Sequence, residues 1–165
     1  MQFFPWYNKP LIAFLEVFLN SEMKVFEYGA GNSTLYYSQK VAKVFSAETR
    51  KEWFDFVSTN KTKENIEIKL CNNLEFFSNE IENFSEKKFD VIVVDSRDRA
   101  KCLLASTSFL KNNGIIILDN SERKNLALPR KNIRDLGFEE RIFYGEREGG
   151  DFSTSSVFSL KSIKI

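Results

Sequence analysis

Histidine is absent from the chain. That gap excludes every Ser–His or Cys–His nucleophile pair and every histidine-ligated zinc site. Cysteine is nearly as scarce: Cys71 and Cys102 stand far apart, form no CxxC pair, and read as two reduced, packed thiols. Net charge is missing too. Lys plus Arg total 24 against 23 for Asp plus Glu, so nothing draws the whole surface towards nucleic acid. No apolar run approaches the roughly eighteen residues a membrane helix needs. The opening stretch "MQFFPWYNKPLIAFLEVFLN" lacks the basic start and small-residue cleavage site of a signal peptide. Prolines number three and glycines seven, with no Pro/Gly/Ser-rich linker and no internal repeat. The expectation is one soluble, cytoplasmic domain over 1–165, with an N-terminal helical segment (1–22) and an α/β core (23–165).

What is present is core material and alternation. Hydrophobic residues make up 42% of the chain, including seventeen Phe. Apolar positions Leu11, Ile12, Leu15, Phe18 and Leu19 predict an amphipathic helix over 9–20. Strands are expected at 24–28, 43–48, 66–70, 89–95 and 114–120, and helices at 33–42, 50–60, 73–83, 98–110 and 124–136. Two last strands, 138–145 and 154–161, flank the polar loop "EREGGD" with no helix between them. The runs "FDVIVVD" and "GIIILDN" are continuously apolar, as strands covered on both faces must be. The pattern predicts a Rossmann-like, doubly wound, mostly parallel seven-stranded sheet with helices on both faces. The final pair is expected to form an antiparallel edge, including an antiparallel C-terminal strand.

Ligands of such sheets sit beyond the carboxyl ends of the strands. That rule selects Glu27 to Gly31, Glu48, Cys71 to Asn73, Asp95 to Asp98, and Asp119 to Ser121. In "VFEYGAGNSTL" two glycines follow the first strand directly and precede a helix. A tight turn alone explains a GxG, but this placement is also the one a nucleotide fingerprint requires. The dinucleotide form needs a third small residue at position 34, which is Thr here, and this argues against an NAD-linked oxidoreductase. Glu48 ends the second strand, where an acid can accept both hydroxyl hydrogens of a ribose or stand as a solvated charge.

The segment "VFEYGAGNSTLYYSQKVAKVFSAETRKEWFDFV" resembles the first two motifs of class I S-adenosylmethionine-dependent methyltransferases. More narrowly, it is similar to a subgroup that runs from an N-terminal "PW" through E-x-G-x-G-x-S-T to S-x-E-x-x-x-x-W. "PWYNKPLIAFLE", "FDVIVVDSRDR" and "GIIILDNSER" continue the match in order, so the resemblance spans Pro5 to about Phe158. It implies S-adenosylmethionine as cofactor. Glu27, Gly29 and Gly31 would line its amino-acid part, a side chain on either glycine would intrude on it, and Asn32 and Ser33 would also contact the cofactor. Glu48 would hold the ribose, Asn72 and Asn73 would flank the adenine, and Asp95 and Ser96 would close the pocket near the sulfur.

Methyl transfer to a hydroxyl needs alignment and a proton acceptor. Without histidine, the candidates are carboxylates (Asp95, Asp98 and Asp119), a Lys or Tyr of lowered pKa, or a metal-bound alkoxide. Asp95, Asp119 and Asn120 also match in type and position the magnesium ligands of catechol-type O-methyltransferases, and oxygen-only ligands suit Mg²⁺. The lysine those enzymes place three residues after the first Asp is replaced by Asp98. Asp at a strand end is equally a common cap or loop hydrogen-bonder.

Arg97 and Arg99 are candidates to fork onto an anionic group of the acceptor, as Asn120 is to contact it. The basic run 123–134 reads as a solvated helix face or an anion-binding surface. Phe3, Phe4, Trp6 and Tyr7 either roof the site or pack the first helix. The expected partner is a small-molecule or saccharide acceptor, not nucleic acid or a membrane. Recognition would come from the N-terminal segment, 96–99, 120–130 and 145–153, or from a second copy in a homodimer. A non-catalytic nucleotide-binding module with the same fold is the main rival.

Overall fold

The computed structural model describes residues 3–161. Asn8 caps the first helix: its side chain accepts the Leu11 amide at 3.0 Å, and Pro10 sits in the opening turn, where a missing N–H costs nothing. This helix, α1, covers Lys9–Phe18. There follow β1 (Lys24–Tyr28), α2 (Asn32–Lys40), β2 (Lys43–Glu48), α3 (Lys51–Asn60) and β3 (Ile66–Leu70). Then come a 3₁₀ helix (Phe77–Asn83), β4 (Phe89–Val94), α4 (Arg99–Ser106) and β5 (Leu110–Asp119). A short 3₁₀ turn (Lys124–Leu126), α5 (Ala127–Asp135), β6 (Glu139–Glu146) and β7 (Phe152–Ser159) complete the order.

The strands form one seven-stranded sheet in the order β3-β2-β1-β4-β5-β7-β6. The doubly wound, mostly parallel architecture expected from the alternation is the one observed. β7 alone runs against the others, pairing antiparallel with both β5 and β6. The final pair forms the antiparallel edge expected of it, and within that pair β7 is the inner strand. It inserts between β5 and β6, because Val157 and Phe158 are buried while Ile142 and Tyr144 of β6 stay exposed. The strand without charged residues takes the interior place, and β6, which carries four, takes the edge.

Alternation within each strand feeds two cores. Ile92 and Val94 of β4, with Phe26, Phe45, Phe84 and Phe89, face the side covered by the first 3₁₀ helix and α4. Val91 and Val93 face the side covered by α1, α2 and α3, where Leu15, Tyr37 and Val57 pack. Much of the phenylalanine is spent in the first core, where Phe26 meets Tyr28 and Phe84 edge-on at 4.8 and 5.3 Å.

Two segments depart from expectation. The helix predicted over 73–83 is a 3₁₀ helix confined to Phe77–Asn83. Asn73 explains the late start: its side chain accepts the Glu75 amide at 3.1 Å, a local turn that competes with helix initiation. The helix predicted over 98–110 ends at Ser106, and "LKNN" joins β5 rather than forming a turn. The Phe89 amide donates to the Phe109 carbonyl at 2.9 Å, and a register shift between Phe89 and Val91 absorbs the extra residues.

Parallel registry brings the carboxyl ends of the central strands to one rim. Gly29 N–H donates to Ala47 O (2.8 Å), Cys71 N–H to Glu48 O (2.7 Å) and Asp95 N–H to Tyr28 O (3.1 Å). The four strand-end regions therefore converge, though they span residues 28 to 95 of the chain.

Candidate active site

A cavity of about 470 Å³ opens at that rim, within the size range of small-molecule sites. Glu27, Gly29, Gly31, Asn32, Ser33 and Glu48 line one half. Asp95, Ser96, Arg97, Arg99, Asp119 and Asn120 line the other. Trp6 and Tyr7 also reach the cavity wall, and Trp6 meets Trp53 edge-on at 5.6 Å. Phe4 is largely exposed and Phe3 packs against the core beside α1, so only half of the aromatic N-terminus contributes to the wall.

The glycine turn is built by its neighbours. Gly29 has φ +103°, and a Cβ there would lie 2.6 Å from the Asp95 carbonyl oxygen. The bare backbone at position 29 is therefore already demanded by the close passage of β1 and β4, before any ligand is considered. A Cβ on Gly31 would meet only the Trp53 ring, at an ordinary 3.5 Å. Thr34 accounts for its own departure from the dinucleotide pattern. Its hydroxyl accepts the Gly31 amide at 3.1 Å, closing the turn that starts α2.

Glu48 is more occupied than a ribose acceptor needs to be. One carboxylate oxygen accepts the Ala30 amide at 2.8 Å, and the other accepts the amides of Thr49 and Arg50 at 2.6 and 2.8 Å. It ties the glycine turn to the end of β2 while still facing the cavity.

Glu27, on the cavity floor, is 1% exposed. Burial pushes its carboxyl up to about 7, against the opposing pull of hydroxyls from Thr34, Ser33 and Ser46. Ser46 Oγ donates to it at 3.3 Å. Among the described residues its partners are hydroxyls, and none is a cation.

Asp119 is also buried, and burial together with the Asp95 charge raises it to about 6. Its carboxylate accepts the Ser155 hydroxyl at 2.8 Å, and Ser155 in turn accepts Asn8 Nδ2 at 3.2 Å. The N-terminal cap is thereby wired to the far strand of the site. Asn120 sits at φ +54°, a left-handed conformation that Asn tolerates better than most residues, and this ends β5.

Asp95, Asp119 and Asn120 do converge, but around an arginine. The Arg99 guanidinium donates to the Asp95 carboxylate, to Asn120 Oδ1 at 3.1 Å, to the Asp119 carbonyl at 3.0 Å and to the Ser96 carbonyl. Arg99 is buried and fully engaged within the protein, so it is not a free fork for an acceptor. The donor set does not fit a divalent cation: the permanently charged Arg99 already takes an oxygen of Asp95 and the side-chain oxygen of Asn120, while the Asp119 carboxylate turns to Ser155. Among the described residues no cluster of three or more Asp, Glu, Cys or His side chains is arranged to hold a metal.

Other expected site residues fall outside the main cavity. Asp98 turns to Lys101 at 3.2 Å and lines an adjoining cleft of about 250 Å³ with Thr49, Leu74, Phe77 and Arg97. Asn72 and Asn73 line neither space; the chain after β3 contributes Leu74 instead. Several lining residues were not singled out from the sequence as site residues, among them Thr49, Arg50, Trp53, Phe77, Arg123 and Arg147. The signal for Arg147 was a lone basic residue in the Gly-rich "EREGGD" loop. Cys71 and Cys102 are buried, which raises both thiols to about 12 and removes them as nucleophiles near neutrality.

No protein-family model matches the sequence, and no curated protein sequence matches it. Solved structures do match the fold. Precorrin-6y C5,15-methyltransferase from Geobacter metallireducens superposes with a TM-score of 0.67 at 16% identity, over 93% of this chain and 87% of that one. A SAM-dependent O-methyltransferase from Thermotoga maritima gives 0.70 at 17% identity, over 94% of this chain and 66% of that one. Precorrin 8w decarboxylase from Methanobacterium thermoautotrophicum gives 0.67 at 15% identity, over 90% and 87%. The fold is thus the Rossmann-like one that SAM-dependent methyltransferases adopt. It does not choose the reaction, which the site has to do. No helix of the described residues is long and apolar enough to cross a membrane.

Proposed function

We propose that this protein is an S-adenosylmethionine-dependent methyltransferase that methylates a hydroxyl oxygen of a small molecule or saccharide. The observation that carries the reading is Glu27, a carboxyl sealed in the cavity floor without a positive partner. Such a group is completed by a ligand that brings a cation to it. S-adenosylmethionine brings an ammonium and supplies an electrophilic methyl carbon on its sulfonium.

The chain's own residues provide placement and a proton acceptor. The Gly29–Gly31 turn, fixed by Glu48 and Thr34, leaves a concave wall for the amino-acid end, and Glu48 presents its carboxylate edge for ribose hydroxyls. Asp119 stands across the cavity, and a carboxyl near 6 can accept an acceptor's hydroxyl proton at neutral pH. The cofactor would supply the methyl group and its thioether leaving group, and Asp119 would take the hydroxyl proton that the acceptor gives up. Alignment of oxygen, carbon and sulfur supplies most of the acceleration, because the leaving group is already good.

Thermal shift and calorimetry with S-adenosylhomocysteine and NADH test the reading. Ligand at one hundred times its dissociation constant should add roughly 2.7 kcal/mol of stability. Stabilisation by S-adenosylhomocysteine is expected and none by NADH; the reverse would refute the proposal. Glu27→Gln is the cleaner loss-of-binding variant, because Glu48→Ala also strands the amides of Ala30, Thr49 and Arg50.

A further inference from the structure

The eight arginines divide by what they meet. Arg50, Arg99, Arg130 and Arg134 pair with carboxylates, and Arg141 lies over the rings of Phe14 and Phe143. The remaining three, Arg97, Arg123 and Arg147, have no carboxylate within ion-pair distance among the described residues. All three line the main cavity, on its Asp95–Asp119 half.

Their surroundings keep them unmatched. Asp98, beside Arg97, is taken by Lys101. Arg123 reaches only the neutral Asn120 amide, at 3.2 Å. Arg147 is half-buried, and its Nε is shut off from solvent with no hydrogen-bond partner. A buried, unpaired guanidinium donor is costly unless a ligand completes it. The backbone holds it there: the Arg147 amide donates to the Asp151 carbonyl at 2.7 Å, and the Gly150 amide donates to the Arg147 carbonyl at 3.2 Å. On the same side Asp95 is already neutralised by Arg99, which leaves Asp119 as the one free carboxylate facing three guanidinium groups.

We propose that the methyl acceptor carries an oxyanion, a phosphate or a carboxylate, clamped by Arg97, Arg123 and Arg147 at the mouth of the cavity. Planar guanidinium forks suit such oxyanions, and three of them outweigh Asp119. The inference rests on the methyltransferase reading for the word acceptor, but the anion site itself stands on this geometry alone.

The test is calorimetric titration of the full chain with glucose 6-phosphate, glucuronate and glucose, with and without saturating S-adenosylhomocysteine. The wild type should bind the better of the two charged sugars at least tenfold more tightly than glucose, and which one wins tells phosphate from carboxylate. R123Q/R147Q should lose that preference and keep its S-adenosylhomocysteine affinity within about twofold. R97Q/R123Q changes two exposed side chains and repeats the test should the first pair fold poorly. Equal binding of charged and neutral sugars by the wild type, or an undiminished preference in both double variants, overturns the proposal. Absence of S-adenosylhomocysteine binding would instead sink the methyltransferase reading, while the titrations without it still decide the anion site.

Discussion

The two halves of the cavity are built on opposite terms. On the β1–β2 side, the acidic groups are held by backbone amides and hydroxyls: three amides on Glu48, and serine and threonine hydroxyls around Glu27. On the β4–β5 side the stabilising groups are guanidinium forks, one sealed inside among Asp95, Asn120 and Asp119, and three left open. The first half is an acidic cradle waiting for a cation. The second is a basic mouth that leaves room for an anion. A zwitterionic cofactor bearing a sulfonium and an anionic acceptor would meet between them without either half changing its own pairing.

The largest effect should come from the one free carboxylate of the basic half. Asp119→Asn should lower kcat by about 10²- to 10³-fold, the usual contribution of a positioned general base. Its S-adenosylhomocysteine affinity should stay within about twofold in calorimetry, because the acidic half is untouched. Equal losses in both would mean that the halves are not separable.

Next come the glycines. Gly29→Ala forces a methyl group against the Asp95 carbonyl at a left-handed φ, and should cost roughly 2–4 kcal/mol in denaturant melts. That loss should be the same with or without S-adenosylhomocysteine. Gly31→Ala meets only ordinary contact with Trp53, so it should change stability by less than about 1 kcal/mol and weaken the ligand instead. A ligand effect at 29 and a stability effect at 31 would invert the assignment.

The acidic cradle also predicts a pH dependence. Glu27 is held at about 7 instead of 4.5, so between those values the folded chain keeps a proton that the unfolded chain has lost. Stability without ligand should therefore fall as pH rises from about 4.5 to about 7 and then level. The total is roughly 3 kcal/mol. Asp119, raised from 3.8 to about 6, adds to the fall with the same sign. An ammonium ligand favours ionised Glu27, so S-adenosylhomocysteine affinity should rise over the interval in which the free protein loses stability. Glu27→Gln should flatten the affinity curve and shrink the stability fall to the part that Asp119 contributes, and a flat wild-type melting profile between pH 5 and 8 would contradict the account.

The smallest effect expected is that of magnesium. With Arg99 among the candidate ligands, millimolar Mg²⁺ should shift neither the melting temperature nor the S-adenosylhomocysteine affinity. A magnesium-dependent stabilisation would show that Arg99 yields its place.

Legibility in the sequence follows the same division. Glu27, Gly29, Gly31 and Glu48 were readable because each sits at the end of an apolar strand, where local order alone carries it to the rim. The sequence did not reveal that Gly29 also has a backbone reason, a carbonyl oxygen sixty-six residues away. The 3₁₀ helix at Phe77 and the inward place of β7 were hidden. The first depends on an Asn73 side-chain bond, and the second on which of two strands buries more apolar surface. Asp95, Asp119 and Asn120 were legible as a converging trio, yet not the charge at their centre. Arg99 lies four residues from Asp95 and twenty from Asp119, and only helix α4 aims it between them.

By itself the sequence determined the alternation, the two-sided burial of the central strands and the acids at their ends, because strand and helix periods are local properties of the chain. Only the tertiary structure decided the charge balance of the cavity. Pairing is a matter of distance, and Arg97, Arg123 and Arg147 become one cluster only when the parallel β4–β5 pair and the antiparallel β5-β7-β6 pairing bring three separate loops to the same rim.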